Sequence, residues 1–353
     1  VKLDFVSDPD VMAAAAAIYA LTVLDPPAPS WDILVSTFNP YASRECSDGG
    51  ERMKYWLCFL LSLSCVAVVA GQNQAGRNQP DNHRQTFEKE KQRNAAATKT
   101  PVILYHGGPV MVAPKDLYVV YYGNFTTTQH AILDNFLQNL GGSGAFNVNS
   151  EYSDSSGATV TNILNYSPTT DSFNDAYSLG KSLSGSFDTT IIHNAIANGH
   201  LPSDANGIYI LTISPDVALP KSVWCAYHTH SSGIVVGQDI KYAVAPDPPA
   251  GSLLNGCSGN LATFGDTTSP NGDIGMDAVA DDLIHELSET ASDPDLNAWF
   301  TKNGAENGDL CNFVYGTTFL APNGSHANHV FGTRNYLVQT IWDRVGSFCA
   351  LSH

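Results

Sequence analysis

Positive charge is scarce in this sequence. Its 353 residues carry 17 Lys+Arg against 34 Asp+Glu, a formal net charge of −17. Nucleic acid and anionic membranes are held through a basic footprint, so this balance argues against both as partners. Charged residues of either sign make up only 14%, and Ser, Thr, Asn and Gly supply the polar surface instead. The apolar run at 55–70 is shorter than the roughly 20 residues that span a bilayer. No G-x-S-x-G, P-loop or dinucleotide fingerprint occurs, which leaves a serine nucleophile and bound nucleotides unsupported. C-x-x-C spacing is also missing among the four cysteines beyond residue 70, so a four-cysteine zinc site lacks its usual form. Those four, Cys225, Cys257, Cys311 and Cys349, read as two disulfides. Three connectivities are open. Cys225 with Cys257 and Cys311 with Cys349 is favoured, since each pair lies within one sequence block.

What is present begins at Met53-Lys54. A basic start, the apolar run 55–70, and Val68 and Ala70 at the −3 and −1 positions before Gly71 read as a secretory signal peptide. A signal acts at the start of a chain, so residues 1–52 read as upstream sequence translated in frame, with Met53 the true start. Residues 71–100, rich in Gln, Asn, Arg, Lys and Glu, read as a disordered linker or pro-segment. The folded domain is expected over 101–353. It carries glycosylation sequons at Asn124, Asn165 and Asn323.

Within that domain 117–122 (LYVVYY) and 207–213 (GIYILTI) have the continuous apolar character of buried strands. Apolar residues at helical spacing fill 126–140, stopped by Gly141-Gly142, and 191–197 and 277–291 follow the same period. The stretch 222–273 reads as loop-rich, with Pro246, Pro248 and Pro249 breaking regular structure. Short strands are expected near 158–166, 312–315 and 336–341. The expected fold is α+β (mixed α/β), a single domain with a central mixed sheet.

The helix at 277–291 carries the chemistry. His285 and Glu289 stand four residues apart on one face, where a zinc hydrolase places two metal ligands, and Glu286 occupies the position of its general base. The second ligand in that motif is histidine, whereas this chain has glutamate, giving a zincin-like HExxE. Glu306, seventeen positions on, supplies a third ligand. The metal set is therefore His285, Glu289 and Glu306, with Glu286 catalytic. His228 and His230 share one face of a strand by their two-residue spacing, and His230 is the one chosen as a further ligand. Zinc is the expected cofactor, and carboxylate-rich ligation makes calcium or manganese an alternative. An exposed helix ending in acidic residues, with Asp293 and Asp295 capping the next turn, is the competing reading. Ligand atoms spread over more than about 8 Å would exclude the metal, whose bonds are only about 2.0–2.6 Å.

Several segments together resemble the phosphate-induced protein 1 / EXORDIUM family. They are GPVM at 108–111 leading into 117–125, NDAYSLGKSL at 174–183, HELSETASDPDLNAW at 285–299, GAENGDLC at 304–311, and the closing 336–349. The resemblance spans 101–353 and implies secretion to the cell wall or extracellular matrix, with matrix or wall components as partners and no membrane after signal cleavage. Its plant members, linked to growth promotion, carry a further cysteine near 225–230. The resemblance brings no established biochemical activity. A metal-dependent, peptidase-like hydrolase and a non-catalytic matrix or growth-signalling protein with structural calcium, or no metal, both remain open. So does carbohydrate binding through Trp224 and Trp299.

Overall fold

The computed structural model describes residues 102–220 and 224–353. The upstream segment, signal peptide and linker expected at 1–100 lie outside the described residues. Among those described, no helix is long and apolar enough to cross a membrane.

A six-stranded mixed sheet forms the centre. Ile103–Tyr105 (β1) lies outside it, and Lys115–Tyr122 (β2) is its organising strand. Leu164–Asn165 (β3) and Ser172–Asp175 (β4) both pair in parallel with β2, end to end along the same edge. On the other side of β2 runs Ile208–Ile213 (β5), also parallel. Tyr227–Val235 (β6) and Gln238–Val244 (β7) form an antiparallel hairpin whose β7 pairs in parallel with β5. The strand order is thus β3-β2-β5-β7-β6. The expected α+β class with a central mixed sheet is what the structure shows.

Both faces of the sheet are covered, which explains the unbroken apolar runs. Leu117, Val119 and Tyr121 of β2 join one core with Ile208, Ile210 and Ala243. Their alternates Tyr118, Val120 and Tyr122 join a second with Tyr209, Leu211 and Val244. Helix Thr127–Leu140 (α1) packs on the first face through Ile132, Leu133 and Phe136. Its start is fixed by a capping box in which Thr126 accepts from the Gln129 amide and the Gln129 side chain accepts from the Thr126 N–H. Gly144–Asn147 (α2) follows, and Phe187–Ala197 (α3) covers the second face through Ile191 and Ile192. Gly123, which ends β2, combines φ of +112° with a Cβ position only 1.9 Å from Ser214 Oγ, so no side chain fits there.

Ser252–Cys257 (α4) precedes the long helix Ile274–Ser292 (α5), whose start is capped by Asp273 accepting from the Met276 amide. Val279, Ala280, Leu283, Ile284 and Leu287 of α5 face the first core. Every residue of α5 from Gly275 to Ser292 is buried, however, polar ones included. The cover over its polar side comes chiefly from the C-terminal segment, with Asn149 adding to it. Tyr315 donates to Asp281 at 2.6 Å, the Gln339 amide donates to the same carboxylate at 2.6 Å, and Asn149 donates to Ser288 at 3.0 Å.

Three sequence expectations are corrected here. The stretch 222–273 contains the β6–β7 hairpin, because its polar residues lie on a sheet edge rather than in a loop. Residues 312–315 form turn rather than strand, following a 3-10 turn at Asp309–Cys311. The strand expected at 336–341 is divided between Arg334–Tyr336 and Ile341–Asp343. Both favoured disulfides are present, joining Cys225 to Cys257 and Cys311 to Cys349. Trp299 belongs to the core, where its indole N–H donates to the Ser153 carbonyl at 2.8 Å.

Candidate metal centre

Three chain segments bring histidines and carboxylates together. The sixth strand supplies His228, α5 supplies His285, Glu286 and Glu289, and the turn before Cys311 supplies Glu306 and Asp309. His285, Glu286 and Glu289 are 0% exposed, His228 2%, Asp309 6% and Glu306 7%, so this chemistry sits inside the fold.

Glu289 is the hub. Its Oε1 lies 2.9 Å from His285 Nε2 and accepts the Asp309 backbone N–H at 3.0 Å. Its Oε2 faces the other way, 3.5 Å from His228 Nε2. His228 Nε2 also meets Glu306 Oε2 at 3.0 Å, and His285 Nε2 lies 3.8 Å from Asp309 Oδ1. Two overlapping triads result, His285–Glu289–Asp309 and His228–Glu286–Glu289, each with its ligand atoms within 4.8 Å of one another.

The i, i+4 spacing thus does bring His285 and Glu289 side by side, and Glu286 lies with Glu289 and His228. Glu306 joins the cluster through His228, while the place beside His285 and Glu289 belongs to Asp309. His230 lies elsewhere. Its Nδ1 is 2.9 Å from the Asp239 carboxylate, whose charge is also met by Lys241 Nζ at 2.7 Å. The same ammonium lies 2.5 Å from Asp295, so that group already contains its cation. Asp293 caps the turn after α5, accepting the Asn297 and Ala298 amides at 2.5 Å each. His228 and Asp309 were the residues that spacing did not single out. The i, i+2 histidine pair pointed to the right strand, and the carboxylate of GAENGDLC to the right turn.

The surroundings hold these groups in place. Each disulfide is anchored beside a contributing segment, Cys225 three residues before His228 and Cys311 two after Asp309. Gly308 lies flat against the cluster. A Cβ there would stand 2.8 Å from the His285 ring and 2.9 Å from Glu289 Oε1. Its φ is −70°, so the requirement is for small size alone. Gln339 Nε2 donates to the Gly308 carbonyl at 3.0 Å, and Asn307 donates to Asn149 at 2.9 Å.

The conserved region of phosphate-induced protein 1 matches residues 103–352, a span that takes in every segment of this centre. The chain belongs to the phosphate-induced protein 1 family. Among relatives of this family, EXORDIUM-like 3 of Arabidopsis thaliana is 27% identical over 282 residues, covering 69% of this chain and 81% of that protein. EXORDIUM-like 5 of the same plant is 28% identical over 277 residues, covering 68% and 74%. EXORDIUM-like 2 is 22% identical over 298 residues, covering 72% and 91%. No solved structure matches the chain.

Proposed function

We propose that this phosphate-induced protein 1 family member is an extracellular or cell-wall protein whose buried centre holds a divalent metal ion and hydrolyses a matrix or wall component. The observation that carries the reading is the placement of Glu289 between two imidazoles, one at each carboxylate oxygen. Tetrahedral bonds of about 2.0–2.1 Å put ligand atoms roughly 3.3 Å apart. The distances of 2.9, 3.0, 3.5 and 3.8 Å in this cluster bracket that value, far inside the spread that would exclude an ion.

A divalent ion supplies Lewis acidity, polarising a carbonyl and acidifying water. His285, Glu289 and Asp309 would hold it, with His228 and Glu306 lying at the far oxygen of Glu289. Imidazole nitrogen suits zinc better than calcium, whose ligands are oxygens, and the carboxylates of the cluster also suit manganese. Glu286, beside Glu289 and His228, would take the proton from water and pass it to the leaving group. This is the sense in which the helix is zincin-like. The extracellular setting is supported by the two disulfides, by the location that the family resemblance implies, and by the exposure of Asn124, Asn165 and Asn323 in their sequons.

Burial favours a second reading. A centre with its main residues at 0% exposure gives a polymer no entry in the conformation described, so an ion held for stability alone fits as well. Elemental analysis of the secreted, tag-free protein separates the cases. The proposal expects zinc or manganese that disappears in His285→Ala, and hydrolysis of matrix protein that disappears in Glu286→Gln while the ion is retained. An ion without hydrolysis assigns a structural role. Protein without metal overturns both.

A further inference from the structure

We infer that the centre is built for two divalent ions bridged by the Glu289 carboxylate. This deepens, and rests on, the reading of the cluster as a metal site. The donors fall into two groups that share only Glu289. On one side His285 Nε2, Glu289 Oε1 and Asp309 Oδ1 face one another, with His285 at 2.9 and 3.8 Å from the two oxygens. On the other side His228 Nε2 meets Glu289 Oε2 at 3.5 Å and Glu306 Oε2 at 3.0 Å, with Glu286 adjoining. Each group offers one imidazole and at least two carboxylates. A single ion at either group would use one oxygen of Glu289 and leave the other group's imidazole outside its coordination sphere.

Two further features fit a pair. The two oxygens of one carboxylate bridge ions roughly 3.5–4 Å apart, the separation at which two metals clamp the attacking and leaving oxygens of a displacement. Formal charge agrees as well. Glu286, Glu289, Glu306 and Asp309 together carry four negative charges, which two divalent ions balance when His228 and His285 are neutral. Neutral imidazole is also the form in which histidine binds a metal. The pair is made by elements distant in sequence. The edge hairpin brings His228, α5 brings the bridge, and the turn held by the Cys311–Cys349 bond brings Glu306 and Asp309.

The test uses the full chain secreted without a metal-chelating tag, stripped with a chelator and reloaded with Mn(II). Two ions per chain are expected, with an electron paramagnetic resonance spectrum showing exchange coupling between neighbouring manganese ions. Asp309→Ala should lower the count from two to one and abolish the coupling, and Glu306→Ala should do the same from the opposite side. One ion per chain with an uncoupled spectrum in the unmutated protein overturns the pair while leaving the single-ion reading intact. No bound ion overturns both. Because count and coupling are read on the unmutated protein, a variant that fails to fold does not decide the outcome.

Discussion

At the scale of single residues, Gly308 and Asp247 make the sharpest predictions. Gly308→Ala places a methyl group 2.8 Å from the His285 ring without any backbone penalty. Overpacking of this kind costs about 1–3 kcal/mol, and chemical denaturation should show that loss together with weakened metal retention. Asp247 follows β7, and its carboxylate lies against Gly275 at the start of α5. Burial, with Asp273 adding repulsion, pushes its carboxyl up to about 7, although Gln129 donates to it at 3.0 Å. The native state therefore binds a proton more tightly than the unfolded chain does. Stability from this group is fully present below its unfolded value near 4 and is lost as pH rises towards 7. Asp247→Asn, which still accepts from Gln129, should leave the melting temperature unchanged near pH 4 and raise it at pH 7.5. An equal shift at both pH values would exclude the titration of Asp247 as the cause.

At the scale of elements, the disulfides tie the contributing segments to the fold. Bridges closing 32 and 38 residues each restrict the unfolded chain by about 3–4 kcal/mol. Replacing Cys311 and Cys349 together by serine should cost stability of that order. It should also release metal at lower chelator concentration than the unmutated protein, because Glu306 and Asp309 lose their anchor. Replacing Cys225 and Cys257 should act instead through His228. Strands β2 and β5 were legible in sequence because burial on both faces leaves no polar alternation to confuse the reading. The β6–β7 hairpin was not. YHTHSSGIV is polar along much of its length, and the prolines at 246–249 suggested loop, yet the strand needs only one buried side at the sheet edge. The 3.6-residue period of α5 was legible as well, and with it the neighbouring His285 and Glu289. The burial of its polar face was hidden, because the covering residues lie 20 to 60 positions downstream. The choice between His228 and His230 depended on position along the strand. Both share a face, but His228 pairs opposite Ala243 beneath α5 while His230 pairs opposite Lys241 and meets Asp239.

At the scale of the whole molecule, the sheet and the second core are completed before residue 300, but the first core, which takes in Phe331, Tyr336, Val338 and Trp342, and the centre are not. Glu306, Asp309, Tyr315 and Gln339 all belong to the final segment that closes over α5. A variant ending at Lys302 should retain the residues of the main sheet and still fail to accumulate as soluble secreted protein. Its α5 would lose the Tyr315 and Gln339 hydrogen bonds to Asp281 and the Asp309 hydrogen bond to Glu289. Recovery of a monomeric, cooperatively melting truncated protein would contradict this. The same arrangement sets a schedule for synthesis. A chain made from its N-terminus presents the α5 segment well before the residues that cover it have been translated. The long helix is therefore half-dressed until its cover is made, and on the proposed reading the second disulfide and metal uptake become events of the last moments of maturation. If the proposed function holds, a cell short of oxidising power or of metal at that step would meet its defect as failed export of a finished polypeptide, long before any reaction outside the cell could be missed.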